Sequence, residues 1–506
     1  MWRTAAVVLV SCLAADQAAA ARPDSPRSDS LISRGLYIAQ AADCASCHTT
    51  AGGKAFAGGE PLKTEFGVIY STNITPDDQT GIGRWSEADF DRAVREGVRK
   101  DGSYLYPAMP YTNYTKITSQ DMHALWAYVR SLQPVRHQVP ADSLLFPMNV
   151  RSSVLVWRTL YFKPGAFQRD PKQSDEWNRG EYLVDVLGHC DQCHTPRSVA
   201  QGLKSNRELT GAQIEGWYAP NISGDALSKL RDMSDQDLER FLRSGDMGNN
   251  TKVVGPMQEV VHASLSHLTD ADLHAMVIYL KHQEAAPSPL APAPVKWPRQ
   301  ADAQGLYQQQ CAGCHQNDGK GIPGTVPALA GNDAVTASDP SNVVMAMLEG
   351  FPPQGPWGAM ASFSNSLSDE QIADIANYVR TAWGNDASPN ATPWGVDGWR
   401  KYAQSPKDES RALLCPDLDA KILKPALDAG ATNLQKAAGD RIAMTQLVRK
   451  YQSVVPSASR GEVVEALSTA YCRTLSSGNL SEARMGAQLA EFAQRAAIAT
   501  DDRKSM

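Results

Sequence analysis

The chain has 506 residues, 42% of them hydrophobic and 21% charged, with a net charge of −6 at pH 7. That length exceeds one core and predicts three or four units of about 100–150 residues. The composition excludes a disordered chain and a multi-span membrane protein, and an acidic balance with pI near 6.0 excludes a nucleic-acid binder.

The N-terminus reads Met1-Trp2-Arg3, then a mostly apolar run from Thr4 to Ala15, then Ala18-Ala19-Ala20. A basic start, an apolar core and a small-residue cleavage site predict a secretory signal peptide over 1–20. A second reading takes Leu9-Val10-Ser11-Cys12 as a lipoprotein-like run with a lipid on Cys12. No other stretch reaches the roughly 20 apolar residues of a spanning helix, so any membrane contact is expected to be peripheral.

Three copies of one unit follow. They open with Gly35-Leu36-Tyr37, Gly180-Glu181-Tyr182 and Gly305-Leu306-Tyr307. Each runs into Cys-x-x-Cys-His: Cys44 to Cys47 with His48, Cys190 to Cys193 with His194, and Cys311 to Cys314 with His315. A middle helix is expected to end at Gly97, Gly245 and Gly350, as a glycine C-cap would end it. Met109, Met257 and Met360 follow these glycines. A last helix starts at capping patterns, Thr118 with Asp121, Thr269 with Asp272 and Ser368 with Gln371. Behind each cap the apolar spacing is i, i+3, i+4, i+7, as in Met122, Leu125, Trp126 and Val129, which predicts an amphipathic helix on a core. The units read as 30–135, 174–284 and 299–384. A connecting segment at 136–173 and a Pro-rich linker at 285–298 separate them. Residues 400–498 keep helical periods without a fourth motif.

Cys-x-x-Cys-His covalently attaches haem. Two thiols add across the porphyrin vinyl groups, and the adjacent histidine supplies the fifth iron ligand. Zinc would need a second cysteine pair in each unit, and thioredoxin-like chemistry a βαβ frame; neither is present. The repeated register of Met109, Met257 and Met360 makes them the expected sixth ligands, the alternative being ordinary core packing. Both axial positions are then filled, which suits outer-sphere electron transfer. A backbone carbonyl in 72–74, 220–222 or 327–329 is expected to fix each histidine ring. His189 is read as a rim residue, and His123, His262, His267, His274 and His282 as surface or packing residues. Cys415 and Cys472 remain, an even pair that suggests a disulfide in an exported protein, with two free buried thiols as the alternative.

Further motifs carry a family resemblance: Gly58-Gly59, Tyr70-Ser71-Thr72-Asn73-Ile74-Thr75-Pro76-Asp77, Leu105-Tyr106-Pro107-Ala108-Met109-Pro110-Tyr111 and Gly255-Pro256-Met257. With them, residues 31–384 resemble the tri-haem cytochrome c subunit of bacterial membrane-bound dehydrogenases, of the quinoprotein alcohol or flavin-dependent gluconate and sorbitol type. The resemblance implies an all-α fold of three tandem class I cytochrome c domains carrying three covalent haem c groups. It implies an electron-transfer subunit, not a catalytic one, in the bacterial periplasm at the outer face of the inner membrane. Its partners would be a dehydrogenase catalytic subunit as donor and ubiquinone or a terminal oxidase as acceptor. A stand-alone haem enzyme such as a peroxidase is the alternative; it needs an open sixth position. The chain departs from the family after 384, where a C-terminal α-helical bundle is expected. Within 144–162, Trp157 and Tyr161 stand one turn apart and are expected to anchor the partner subunit, or else to pack internally.

Overall fold

The computed structural model describes residues 25–283, 300–404 and 420–476, apart from 65, 146–147, 199–200, 225–227, 249, 354–356 and 459, together with a few helical positions between 488 and 500. The expected signal peptide, Cys12, Cys415 and the whole Pro-rich linker at 285–298 lie outside the described residues.

The first unit runs from α1 (Ser25–Ala41) into the short helix α2 (Cys44–His48), a hairpin β1 (Pro61–Thr64) and β2 (Gly67–Tyr70), then α3 (Glu87–Glu96), α4 (Tyr111–Tyr114) and α5 (Ser119–Ser131). The segment after it returns to this unit: β3 (Ser143–Leu144) pairs antiparallel with β2, and α6 (Val154–Tyr161) follows. The second unit holds α7 (Asp175–Glu181), a π-helical continuation over Tyr182–Leu187, α8 (Asp191–His194), the hairpin β4 (Ala212–Ile214) and β5 (Trp217–Ala219), and α9 (Asp235–Ser244). A second hairpin, β6 (Asp246–Gly248) and β7 (Thr251–Lys252), leads to α10 (Pro256–Ala263) and α11 (Asp270–His282). The third has α12 (Gln300–Gln310), α13 (Ala312–His315), α14 (Ser341–Glu349) and α15 (Asp369–Thr381), and α16 (Pro393–Gln404) packs back on it. α17 (Ala420–Leu427), α18 (Ala431–Gly439), α19 (Arg441–Val454) and α20 (Arg460–Ser476) surround a separate apolar cluster that includes Met444, Leu467 and Phe492. The fold is mainly helical, with short strand pairs in the loops. Among the described residues no helix is long and apolar enough to cross a membrane.

The caps fall where the sequence puts them. Gly97, Gly245 and Gly350 end α3, α9 and α14. Thr118, Thr269 and Ser368 side chains accept from the backbone N–H of Asp121, Asp272 and Gln371. Met122, Leu125 and Val129 are buried, and Trp126 lies against Phe90 with ring centroids 5.2 Å apart.

In each of the first two units the first and last helices cross at a glycine. A Cβ on Gly35 would lie 2.0 Å from Ala124 O, and one on Gly180 2.0 Å from Ala275 O. Gly180 is ten residues before Cys190, whereas Gly35 is nine before Cys44. The π-helical turn absorbs the extra residue. The third copy breaks the sequence match. Gly305 is only six residues before Cys311, and nothing lies within 4 Å of its would-be Cβ. Ala303 and Tyr307, both fully buried, take the inward positions instead.

One apolar cluster joins the first two units, from Ile38 and Leu125 to Leu183 and Met276. The third has its own, which also takes in Trp217 of the second unit and Val396 of α16.

Candidate haem-attachment sites

Each Cys-x-x-Cys-His sequence forms a short helix directly after the first long helix of its unit. None of the six cysteines of these motifs is in a disulfide. Before attachment, burial pushes the Cys44, Cys47 and Cys311 thiols up to about 12 and Cys193 up to about 11.

The histidines share one arrangement. Nδ1 of His48 is 2.7 Å from Thr72 O, that of His194 2.7 Å from Pro220 O, and that of His315 3.0 Å from Pro327 O. A carbonyl oxygen only accepts, so Nδ1 carries the proton and Nε2 keeps a lone pair. Burial lowers the pKa of all three rings, which favours the neutral form an iron ligand needs. The carbonyls come from the three loops the sequence pointed to.

Met109 lies in a loop tied by its own N–H to Tyr106 O at 3.1 Å and by Tyr106 Oη donating to Met148 O at 2.7 Å. A cavity of 1590 Å³ is lined by Cys44, Cys47, His48 and Met109 together. Cysteine thiols, a neutral imidazole and a thioether around one largely apolar cavity fit a covalently held haem with two axial ligands. Met257, one residue after Pro256 at the start of α10, and Cys190 both pack against the cluster shared by the first two units. Met360 and Cys311 both pack against the third unit's cluster, and the Met360 backbone pairs with Phe351 through two 2.9 Å bonds, closing a shorter loop. The cavity at the first site continues to His189, Gln192 and Cys193 of the second unit. His189 lines this cavity; burial lowers its pKa to about 4, and its ring meets Tyr114 edge-on. Of the remaining histidines, His123 pairs with Glu87 and His274 with Glu239 on the surface.

Trp157 and Tyr161 are half-buried and pack internally, the second of the two readings of this pair. Both line the cavity; Trp157 meets Tyr111 edge-on at 6.4 Å, and Tyr161 hydrogen-bonds Ser198. Arg158 stacks over Tyr104, Tyr111 and Phe162 and turns this helix face inward. Cys472 is fully buried and disulfide-bonded; its expected partner, Cys415, lies outside the described residues.

The spacing of the motifs does not predict how the first two units dock. Tyr37 Oη donates to Asp272 at 2.5 Å, and Tyr182 Oη to Asp121 at 2.8 Å. Arg34 and Arg179 hold the same carboxylates from within each unit. Burial opposes ionisation of Asp272, but the bonds from Arg179 and Tyr37 outweigh it and hold the carboxyl below its usual range. A signal existed: Arg-Gly-x-Tyr and a cap-plus-three Asp occur in these two units only, the third having Gln304 and Gln371.

The family described as Cytochrome c matches residues 32–133 and 300–383. The chain is 41% identical over 368 residues to a component of the nicotinate dehydrogenase of Pseudomonas putida, covering 71% of this chain but 31% of that protein. It is 38% identical over 435 residues to the gluconate 2-dehydrogenase cytochrome c subunit of Pantoea cypripedii, 80% of this chain and 96% of that one. It is 39% identical over 401 residues to the cytochrome c subunit of the quinone alcohol dehydrogenase of Gluconacetobacter polyoxogenes, 74% of this chain and 85% of that one. The chain belongs to the family of dehydrogenase cytochrome c subunits. It is an electron-transfer cytochrome with covalently bound haem c. These relatives lend no support to a peroxidase.

Proposed function

We propose that this cytochrome carries three haem c groups, on Cys44/Cys47, Cys190/Cys193 and Cys311/Cys314. It takes electrons from a dehydrogenase catalytic subunit and passes them to ubiquinone or a terminal oxidase. The observation that carries the count is the threefold His Nδ1–carbonyl anchor, which leaves Nε2 of His48, His194 and His315 free in each unit. A bound haem supplies a one-electron iron couple. The chain's residues do the rest: six thiols fix the group, three imidazoles and the thioethers of Met109, Met257 and Met360 fill the axial positions, and buried apolar walls exclude water. Thioether ligation opposite imidazole raises the potential. Closed axial positions favour electron transfer over bond making.

The reading extends to three tandem cytochrome domains and a C-terminal helical bundle stapled by Cys415–Cys472. It includes export by the 1–20 leader to the periplasm, with peripheral contact at the inner membrane. Mass spectrometry of the mature chain tests the count; an increment of fewer than three haems refutes it. Carbon monoxide difference spectra test the ligands, since six-coordinate His/Met sites resist the gas and an open site binds it.

A further inference from the structure

The loops that hold the three histidines are not tied alike. In the first unit the acceptor Thr72 is followed by Asn73. Its Oδ1 accepts from Thr75 N at 2.9 Å, and its Nδ2 donates to Val135 O at 2.7 Å. In the second, Pro220 is followed by Asn221, whose Oδ1 accepts from Ser223 N at 2.9 Å. In the third, Pro327 is followed by Ala328, which has no side chain to do this.

Within the third unit Asn332 Nδ2 donates to Ala328 O at 2.8 Å, and Asn250 of the second unit adds ties from outside. Its Nδ2 donates to Val326 O at 2.8 Å and Lys320 O at 3.1 Å, and its Oδ1 accepts from Gly324 N at 3.1 Å. Its backbone carbonyl accepts from Ala328 N at 2.7 Å. Pro327, whose carbonyl meets His315 Nδ1, therefore lies between two residues that Asn250 holds directly. Asn250 has φ of 60°, the left-handed region that Asn enters more readily than most residues. It sits between β6 and β7, on the strand pair that leads into Gly255-Pro256-Met257.

We propose that Asn250 is a positioning residue for His315, lent by the second unit to the third, so that its side chain sets how firmly the Pro327 carbonyl is held against the third imidazole. The inference rests on the three-haem reading above. A carbonyl held against Nδ1–H makes Nε2 a stronger donor. A stronger donor favours oxidised iron, so loosening the loop moves the third potential upward. One hairpin then links the sixth-ligand side of the second site to the fifth-ligand side of the third.

Two substitutions test this in the full haem-loaded chain. Asn250→Gly keeps the left-handed backbone and the carbonyl for Ala328 while deleting the side chain. Asn250→Asp keeps the acceptor for Gly324 but sets a carboxylate against the carbonyls of Val326 and Lys320. Asn342→Ala is the control for docking. It removes the bonds of Asn342 to Tyr218 N and O, at 2.8 and 3.0 Å, between the same two units and away from this loop. Redox titration followed by electron paramagnetic resonance reads the haems, with the third assigned by its change in Met360→Ala. Both Asn250 variants are expected to raise the third midpoint and broaden its signal, leaving the other two unmoved, and Asn342→Ala to move none. An unmoved third midpoint in both Asn250 variants, or an equal shift in Asn342→Ala, overturns the role. Haem counts on the same samples separate the layers. A chain with only two haems sinks the three-haem reading and this inference with it, whereas three haems with an unmoved third midpoint sinks the Asn250 role alone.

Discussion

Tyr182 and Asp121, 61 residues apart in sequence, are joined by a 2.8 Å hydrogen bond between the first two units, and Tyr37 and Asp272 repeat the bond with the units exchanged. The hydroxyls also accept from the cap residues, Thr118 N to Tyr182 and Thr269 N to Tyr37, both at 3.2 Å. The interface is thus a local two-fold exchange built from duplicated sequence. It carries α10, the helix of Met257, against α2 of the first unit, and α4, just after Met109, against the π-helical turn before Cys190. Each unit's methionine side is therefore beside the other's cysteine segment, and the first site's cavity reaches Cys193 of the second.

Removing the exchanged hydroxyls tests this directly. A hydrogen bond to a charged group is worth about 1.5–3 kcal/mol. Tyr182→Phe is expected to cost in that range, because Asp121 is buried and loses a donor. Tyr37→Phe should cost less, since Asp272 is partly exposed. Urea unfolding of the haem-loaded chain is the measurement, and haem content should be unchanged. A Tyr182→Phe chain as stable as the parent would remove the exchange as a stabilising contact.

The glycine crossings make a sharper contrast. Gly35→Ala and Gly180→Ala drive a methyl into a backbone carbonyl, and such overpacking costs about 1–3 kcal/mol or more. Gly305→Ala meets open space in α12 and should stabilise by roughly 0.5–1 kcal/mol through helix propensity. Thermal melts should place the first two variants below the parent and the third above it; equal losses at all three would contradict the packing described.

Replacing Met109, Met257 or Met360 with Ala should leave all haem covalently attached while changing the spin state of one group and lowering its potential. Optical and redox titration read this. A retained six-coordinate His/Met spectrum would show another methionine at that site.

His274 gives a pH dependence. Its ring is 2.6 Å from Glu239 and 3.6 Å from Glu176, with Asp235 also nearby, and the Glu239 bond raises its pKa above 6.5. The stabilisation is complete below pH 6.5 and is lost as pH rises through the raised folded value. The ring is 40% exposed, so screening limits the effect to about 1 kcal/mol or less. His274→Gln should lower the melting temperature at pH 5.5 and leave it unchanged at pH 8.5; an equal drop at both would assign the loss to packing.

On α6 the two faces should behave differently. Leu155 is 49% exposed and lies off the first cavity, whereas Trp157 and Tyr161 line it. Changing Leu155 to Ser should shift stability by less than about 0.5 kcal/mol and leave the haem spectra intact. Changing Trp157 and Tyr161 to Ser should perturb the first site's spectrum. The reverse outcome would restore the outward reading of the aromatic pair.

The sequence by itself determined what is local: the cysteine spacing with its histidine, the glycine and Ser/Thr caps, the faces of α5, α11 and α15, and the loops whose carbonyls meet the imidazoles. Each of these rests on residues a few positions apart, where spacing and backbone geometry leave little choice. Only the tertiary structure decided which glycine is a crossing point, because Gly305 matches Gly35 in letters but not in its distance from the cysteines. It alone turned Trp157 inward, where Arg158 stacks on three rings, and set Tyr37 against Asp272 and Asn250 around Pro327. These pairs are 235 and about 77 residues apart. Their meeting depends on how preformed units dock, and docking depends on surface shape and charge that carry no helical or strand period.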